Sequence, residues 1–362
     1  MSKKMNVLIA CGGTGGHLFP GIAVAEELEK RGHKVLLLIS EKKVDAQASK
    51  KYGELDFLTV PAIAKPPTLS PKMILFLFRF WMTLKRCKKI LRSRDCDAVL
   101  GMGGFTSMAP VIAGRRMGLA TFVHDSNALP GKANRLTSRW CHRVLVGFEA
   151  AGCYFKKTRV EVTGTPVRRE PAKLPERAVA RVKYGLSTGG SVVMVMGGSQ
   201  GSKNLNTLAV EASKAMPDVQ FLHITGSLDH DRVVEMTTGL SGYHVLGFCD
   251  DMASAYAACD VVVCRSGASS MTELSYVGMP SILVPYPYAA DDHQTANAKV
   301  FEQAGAAILY QESDLDAGEL VTGLTRILDD TVHSTMIEKI ESLAVKDAAA
   351  RISDVISVDV LT

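Results

Sequence analysis

The sequence of 362 residues lacks the signatures of several common protein classes. Its eight cysteines are scattered and none forms a C-x-x-C pair, which argues against a zinc site or a disulfide framework and favours a reducing cytoplasm. It has no H-E-x-x-H metal motif and no G-x-S-x-G nucleophile turn. Lys3 and Lys4 precede only a short apolar run that ends in glycines, so we expect no signal peptide.

The charge is modest in total but uneven along the chain. Residues 1–165 hold 27 Lys and Arg against 12 Asp and Glu, whereas residues 166–362 hold 15 against 25. A basic half joined to an acidic half indicates that the N-terminal half meets something anionic, either a nucleic acid or a phospholipid surface. The basic stretches contain no recognised nucleic-acid motif, so we expect no nucleic-acid partner.

The stretch MNVLIACGGTGGHLFPG, which begins at Met5, organises the rest of the chain. It predicts a buried strand up to Ala10, a glycine turn, and a helix that starts at Pro20. Such a turn lets backbone N–H groups approach a phosphate closely, although it matches neither the dinucleotide fingerprint nor a Walker loop. His17 at the end of this turn is a candidate general base, because a histidine exchanges protons near neutral pH. The alternative is a tight turn in which His17 only caps the helix.

Strands alternate with helices through both halves of the sequence. DAVLGMGGFTSM (97–108) resembles DVVVCRSGASSM (260–271), so the second half repeats the plan of the first. This pattern predicts an α/β protein with two Rossmann-like parallel-sheet domains that face a cleft. We expect domains at 1–165 and 166–340, with a helical segment at 341–362 that packs back on the N-terminal domain. Glycine- and serine-rich turns at 12–17, 101–107, 197–202 and 265–270 suit phosphate binding.

The segment from Lys65 to Arg94 holds nine basic residues and no acidic one. Ser70 and Pro71 predict the start of a helix there, and its apolar run of about ten residues is too short to span a bilayer. Apolar, aromatic and basic side chains cover more of this helix than a core-facing stripe needs, which suggests contact with an anionic membrane surface. The candidate contacts are Ile74, Phe78, Arg79, Trp81, Lys85 and Arg86. The alternative is an ordinary packed helix with a solvated basic end.

Seven short segments in order resemble one family: GGTGGHLFPG, GMGGFTSMAP, HDSN, GTPVR, GGSQGSKNLN, CRSGASSMTE and DDHQTANA. They are similar to the MurG family of bacterial glycosyltransferases of peptidoglycan synthesis. The resemblance implies the GT-B fold and inverting transfer of N-acetylglucosamine (GlcNAc) from UDP-GlcNAc to the 4-hydroxyl of the muramyl sugar of lipid I, a polyprenyl-diphosphate-linked muramyl peptide. It also implies peripheral association with the cytoplasmic face of the inner membrane. We expect no cofactor, and no metal is required if Arg168 and a helix dipole carry the charge of the leaving UDP.

The same resemblance implies roles for individual residues. The mechanism adds one more, because a displacement at the anomeric carbon needs a base for the acceptor hydroxyl, and Asp125 is the second candidate after His17. Arg168 and Ser199 would hold the diphosphate, Cys249 would meet uracil through its backbone, and Glu273 would accept hydrogen bonds from the ribose. The remaining donor contacts would be Thr14, Gly15, Gly16, Asn127, Ala268, Ser269, Ser270, Met271, Thr272 and Gln294.

Two other functions stay open at this point. An epimerase on the same fold would also bind UDP-GlcNAc, but it would need no lipid acceptor and no basic aromatic helix. A binding module for nucleotide sugars without catalytic activity is the second alternative.

Overall fold

A computed structural model describes residues 4–42, 45–46, 49–50, 52–61, 71–167, 174–198 and 201–361. The chain divides into two compact units. The first unit comprises residues 1–168 and 345–362, and the second comprises residues 169–344. The C-terminal segment therefore belongs to the unit that the N-terminus begins.

The described part of the first unit is a parallel sheet with helices between its strands. Its strand order is β3-β2-β1-β4-β5-β6-β7. Its elements are β1 (Asn6–Ala10), α1 (Gly15–Lys30), β2 (Lys34–Ser40), β3 (Asp56–Val60), α2 (Lys72–Ser93), β4 (Ala98–Gly101), α3 (Gly104–Arg115), β5 (Ala120–Asp125), α4 (Lys132–Thr137), β6 (Arg143–Val146) and β7 (Arg159–Val162). Short 3₁₀ helices lie at Ser138–Trp140 and Glu149–Tyr154.

The described part of the second unit repeats this plan with strand order β10-β9-β8-β11-β12-β13. Its elements are α5 (Arg177–Lys183), β8 (Val192–Met196), α6 (Lys203–Lys214), β9 (Gln220–Ile224), α7 (His230–Met236), β10 (Tyr243–Leu246), α8 (Met252–Ala258), β11 (Val261–Cys264), α9 (Ala268–Val277), β12 (Ser281–Leu283), α10 (His293–Gln303), β13 (Ala307–Leu309), α11 (Ala317–Ile327) and α12 (Asp330–Ser342). A 3₁₀ turn at Ala290–Asp292 precedes α10. Every strand pair is parallel, as the alternating pattern predicts.

The last helix, α13 (Ala348–Leu361), packs on the first unit. Ile352 and Ile356 are fully buried in the cluster that α1 forms with one face of the sheet. Arg143 donates to the Asp359 carboxylate at 2.8 and 2.5 Å, with both side chains largely buried. These contacts join segments that are more than 200 residues apart in the sequence.

The helix α1 begins earlier than the sequence predicts. Pro20 was expected to start it, but the helix begins at Gly15 and includes Pro20 as its sixth residue. Pro20 lacks an N–H and so removes the hydrogen bond to the carbonyl of Gly16, a loss that a single helix position can tolerate near its start. His17 therefore lies in the first helical turn rather than in a loop.

The helix α2 is buried only in its second half. Leu84, Cys87, Ile90 and Leu91 pack against the sheet. Pro71 occupies the position before the first helical residue, and Ser70, the predicted cap, lies outside the described residues. No helix among the described residues is long and apolar enough to cross a membrane.

Candidate active site

His17 lies where the β1–α1 turn meets the β4–α3 turn. Its Nδ1 is 3.1 Å from the hydroxyl of Thr14, the exposed residue that precedes α1. Its Nε2 lies 2.7 Å from the point that a Cβ of Gly103 would occupy, and Gly103 has a φ of +123°. A glycine is needed at this position for both reasons, because a side chain would be strained and would displace the imidazole.

The pKa of His17 is lowered to about 4, first by burial and then by the nearby Lys42 ammonium, while the Asp45 carboxylate opposes the shift. The imidazole is therefore neutral at pH 7 and has one nitrogen free to accept a proton. Thr14 and Gly16 beside it are exposed, and Gly15 is half-buried, so the open side of the turn consists mainly of backbone.

Asp45 holds this turn in place, although sequence reasoning did not identify it. Its fully buried carboxylate accepts hydrogen bonds from the backbone N–H groups of Gly13 at 2.9 Å and Ser40 at 2.8 Å. Lys42 donates to the carbonyl of Gly13 at 2.9 Å. An aspartate a few residues after a strand is a common loop residue, so nothing in the local pattern indicates this role.

Asp125, at the end of β5, uses both carboxylate oxygens within the first unit. One oxygen accepts from the backbone and side chain of Asn127 at 3.0 and 3.4 Å. The other accepts from the backbone of Gly131 at 3.1 Å and from the side chain of Asn134 at 2.8 Å. Burial raises the pKa of Asp125, and these hydrogen bonds oppose the rise. The arrangement suits a group that shapes the loop carrying Asn127.

In the second unit, α9 starts directly after the turn that follows β11. Gly267 precedes the helix without a side-chain cap, and nothing lies within 4 Å of where its Cβ would be. Ala268, Ser269 and Ser270 are half-buried in the first turn. An uncapped helix start with open space before it can bind an anion through its N–H groups and dipole. Met271 and Thr272 have buried side chains, so any ligand contact there would be through the backbone.

Glu273 lies one helical turn into α9. It is half-buried and accepts a hydrogen bond at 3.0 Å from the hydroxyl of the fully buried Tyr256. Burial raises the pKa of Tyr256 well above its usual value, and the Glu273 charge adds to the shift. The tyrosine therefore remains a donor and holds the Glu273 carboxylate in one orientation.

Gln294 and Cys249 also lie in the second unit. The side-chain oxygen of Gln294 accepts a hydrogen bond from the backbone N–H of Tyr286 at 2.9 Å. The backbone carbonyl of Gln294 accepts a hydrogen bond from the hydroxyl of Ser266, which lies in the turn before α9. The half-buried Cys249 has its sulfur 3.5 Å from the Tyr184 hydroxyl. Arg168 and Ser199 lie outside the described residues.

Arg265 is a second residue that sequence reasoning did not single out. Its buried guanidinium donates to the carbonyls of Val284 and Pro285 and to the Ser202 hydroxyl at 2.6 Å, and it pairs with Glu312 at 2.7 Å. These contacts tie the ends of neighbouring strands to the start of α6. The signal available in the sequence was an arginine that directly follows a buried strand.

Comparison with known proteins places these features in a family. Residues 7–146 match the glycosyltransferase family 28 N-terminal domain, and residues 192–352 match the C-terminal domain of that family. A crystal structure of Acinetobacter baumannii MurG aligns with a TM-score of 0.80 and 27% identity over 97% of this chain and 99% of that one. CalG4, the calicheamicin glycosyltransferase, aligns with a TM-score of 0.71 and 14% identity over 98% of both chains, and shows the fold alone.

Two parallel-sheet units with this family match define a glycosyltransferase of the GT-B class, which confirms the predicted fold class. A Shewanella protein (strain ANA-3) is 34% identical over 96% of both chains, and its name is UDP-N-acetylglucosamine–N-acetylmuramyl-(pentapeptide) pyrophosphoryl-undecaprenol N-acetylglucosamine transferase. A protein of the same name from Halothermothrix orenii is 33% identical over 90% of this chain and 91% of that one. The chain belongs to glycosyltransferase family 28 and, within it, to the MurG family.

Proposed function

We propose that this protein transfers GlcNAc from UDP-GlcNAc to the 4-hydroxyl of the muramyl sugar of lipid I, forming lipid II. The names of the relatives support the donor and the acceptor, because the match covers almost the whole of each chain. The structural observation that carries the proposal is the place of His17 beside Thr14 and Gly103, in an open glycine turn at the carboxyl end of a parallel sheet. In open α/β sheets, ligands bind at that end.

The reaction would be a single displacement with inversion at the anomeric carbon. The acceptor hydroxyl gives its proton to His17 and its oxygen forms the new bond to the anomeric carbon. The bond from that carbon to the diphosphate oxygen breaks, and UDP leaves with the electron pair. Two kinds of group are therefore needed, a base for the hydroxyl and positive potential for the departing diphosphate. Between the two candidate bases, His17 is favoured because its Nδ1 faces the exposed Thr14 hydroxyl at the open turn, whereas both oxygens of Asp125 accept hydrogen bonds inside the first unit.

The donor would bind to the second unit. The uncapped start of α9, from Ala268 to Thr272, would receive the diphosphate through backbone N–H groups, with Arg168 and Ser199 adding charge and hydrogen bonds. Glu273 would accept hydrogen bonds from the two ribose hydroxyls, for which its fixed carboxylate is suited. Cys249 would contact uracil, and Gln294 and Asn127 would read the sugar hydroxyls. The turn formed by Thr14, Gly15 and Gly16 would line the sugar and diphosphate region.

The protein would bind peripherally to the cytoplasmic face of the inner membrane through α2. Large apolar side chains are exposed along its first half: Ile74, Leu75, Leu77, Phe78, Trp81 and Met82. Lys85 lies 3.6 Å from the centre of the Trp81 ring, and Arg86 donates to the carbonyl of Thr59. Together with Arg79, these cations would meet anionic headgroups beside the apolar cluster. The polyprenyl tail of the acceptor keeps that substrate in the bilayer, so the enzyme must come to its surface.

The decisive experiment measures release of UDP from UDP-GlcNAc with and without a soluble lipid I analogue. We expect release that depends on the acceptor, with a disaccharide product linked to the diphosphate. Conversion of UDP-GlcNAc alone into UDP-ManNAc would instead identify an epimerase. Donor binding without any turnover in the presence of the acceptor would identify a binding module.

A further inference from the structure

Asn134 on α4 lies between the two candidate bases of the first unit. It is only 3% exposed, and its Nδ2 donates to the carbonyl of His124 at 3.1 Å and to the Asp125 carboxylate at 2.8 Å. A backbone carbonyl can only accept hydrogen bonds, so the nitrogen of the amide must face β5. The orientation of the amide, and with it the direction of Oδ1, is therefore fixed.

The Oδ1 of Asn134 is buried and has no hydrogen-bond partner among the described residues. A buried acceptor of this kind is costly unless it is paired in the working state of the protein. His17 supplies a nearby donor. Its Nε2 and the Asn134 Nδ2 lie 2.7 and 3.3 Å from the same point, the position of a Cβ on Gly103, so the His17 ring and the Asn134 side-chain amide approach to within 6.0 Å. Because Nδ2 already donates to His124 and Asp125, the oxygen of the same amide is the atom left to meet His17, through one bridging water molecule.

The second unit contains the same arrangement in completed form. Asn206 on α6 is fully buried, and its Nδ2 donates to the carbonyl of Thr225 at 3.0 Å and to the Asp229 carboxylate at 2.8 Å. Its Oδ1 lies 3.0 Å from the Nε2 of His223. An asparagine held by a backbone carbonyl and an aspartate thus presents its oxygen to a histidine in this protein already.

We propose that Asn134 is a positioning residue for His17, an inference that rests on the proposed function of that histidine. Through one bridging water molecule, its Oδ1 accepts a hydrogen bond from the Nε2–H of His17 and holds the ring in the tautomer with the proton on Nε2. The Nδ1 beside the exposed Thr14 hydroxyl is then the proton acceptor. When Nδ1 takes the proton of the substrate hydroxyl, Nε2–H keeps its hydrogen bond toward the Asn134 amide. The Asp125 carboxylate on the other side of that amide stabilises the imidazolium.

The test compares Asn134→Leu, which keeps the approximate volume and removes the amide, with Asn206→Leu as the matched control in the second unit. The tautomer of His17 is read from ¹⁵N chemical shifts of the histidine rings without substrates, with His17→Gln assigning the signal. We expect Nε2–H in the wild type and in Asn206→Leu, and a loss of this preference in Asn134→Leu. We also expect kcat of Asn134→Leu to fall about 10-fold, the effect of one hydrogen bond of ordinary net strength, with KM for UDP-GlcNAc within twofold of the wild type.

The proposal is overturned if the wild-type ring carries its proton on Nδ1, or if Asn134→Leu keeps both tautomer and kcat. Where that variant does not fold, Asn134→Ala carries the same test, because it also removes the amide and has a smaller side chain. Loss of the Nε2–H preference in Asn134→Ala supports the proposal, and an unchanged tautomer and kcat contradict it. The ring measurement needs no substrate, so absence of GlcNAc transfer would count against the proposed function alone.

Discussion

The proposed role of the His17 side chain is that of general base for the acceptor hydroxyl. We expect His17→Ala to lower kcat by about 10²–10⁴, the usual contribution of a positioned general base, with KM for UDP-GlcNAc nearly unchanged. The measurement is steady-state release of UDP in the presence of the acceptor analogue. His33→Ala is the matched control, because His33 lies beyond the other end of α1. Its ring accepts a hydrogen bond from the backbone N–H of Met5. Near-normal turnover of His17→Ala would make this histidine structural.

Glu273 is expected to act on binding rather than on turnover. Removing a charge-assisted contact to the ribose costs on the order of 1.5–3 kcal/mol, so Glu273→Ala should raise KM for UDP-GlcNAc by about 10-fold or more. Glu273→Gln should recover part of this, since it keeps an acceptor oxygen. Because Tyr256 also loses its partner in the alanine variant, Tyr256→Phe is the control for the internal hydrogen bond. A KM for Glu273→Ala equal to that of the wild type would contradict the role at the ribose.

At the scale of secondary-structure elements, the β4–α3 turn positions His17 by steric contact. A methyl group at Gly103 would meet the His17 ring at 2.7 Å and would force an L side chain to a φ of +123°. We expect Gly103→Ala to lower kcat by an amount close to that of His17→Ala. Gly118→Ala is a matched control, since Gly118 also has a positive φ, +78°, but has nothing within 4 Å. It should lose only about 1 kcal/mol of stability and keep its kcat. Equal kcat values for the two variants would refute the steric role.

The exposed half of α2 should contribute to membrane binding and not to UDP binding. We expect Phe78→Ser combined with Trp81→Ser to weaken sedimentation with anionic vesicles while UDP binding stays intact. Binding of the wild type should fall with salt, since each cation near the surface contributes roughly 1 kcal/mol. Val179→Ser combined with Val182→Ser is the matched control on α5, where both valines are exposed. Equal vesicle binding by the wild type and the α2 variant would indicate that α2 is an ordinary packed helix with a solvated basic end.

For the whole molecule, buried neutral histidines predict sensitivity to mild acid. Burial lowers the pKa of His124 in the first unit to about 4 and that of His223 in the second unit to about 3. Both lie below the usual value of 6.5, so the unfolded chain binds protons first as the pH falls. The free energy of unfolding should therefore decrease from about pH 6.5 down to those folded-state pKa values, by up to about 1.4 kcal/mol per pH unit for each histidine.

Urea unfolding at pH 7.0, 5.5 and 4.5 measures this slope. His223→Gln removes one titrating group and should reduce the slope, even though it lowers stability at pH 7 by breaking the hydrogen bonds to Tyr243 and Asn206. Tyr243→Phe is the control, because it breaks the hydrogen bond to His223 but keeps the imidazole, so it should lower stability at pH 7 and retain the slope. Identical slopes for the wild type and His223→Gln would exclude this histidine as the source.

The sequence by itself determined the class of this protein. Strands β2 and β3 end where the apolar runs KVLLLIS and DFLTV end. The glycine turns after β1, β4 and β11 were also recognisable, because buried strands and glycines leave local patterns in the sequence. The short strand β13 was missed, since three residues carry too little periodicity. The ordered segments of the MurG family could likewise be read without coordinates.

Only the tertiary structure decided how the candidate site is held together. It placed the start of α1 at Gly15, gave Asp45 to the turn, and brought Asn134 to His17 across 117 positions of the chain. It also showed both Asp125 oxygens in use and the His17 imidazole packed against Gly103, where burial lowers its pKa. Hydrogen bonding and desolvation depend on neighbours that packing supplies, and residues far apart in the sequence leave no local pattern of that packing.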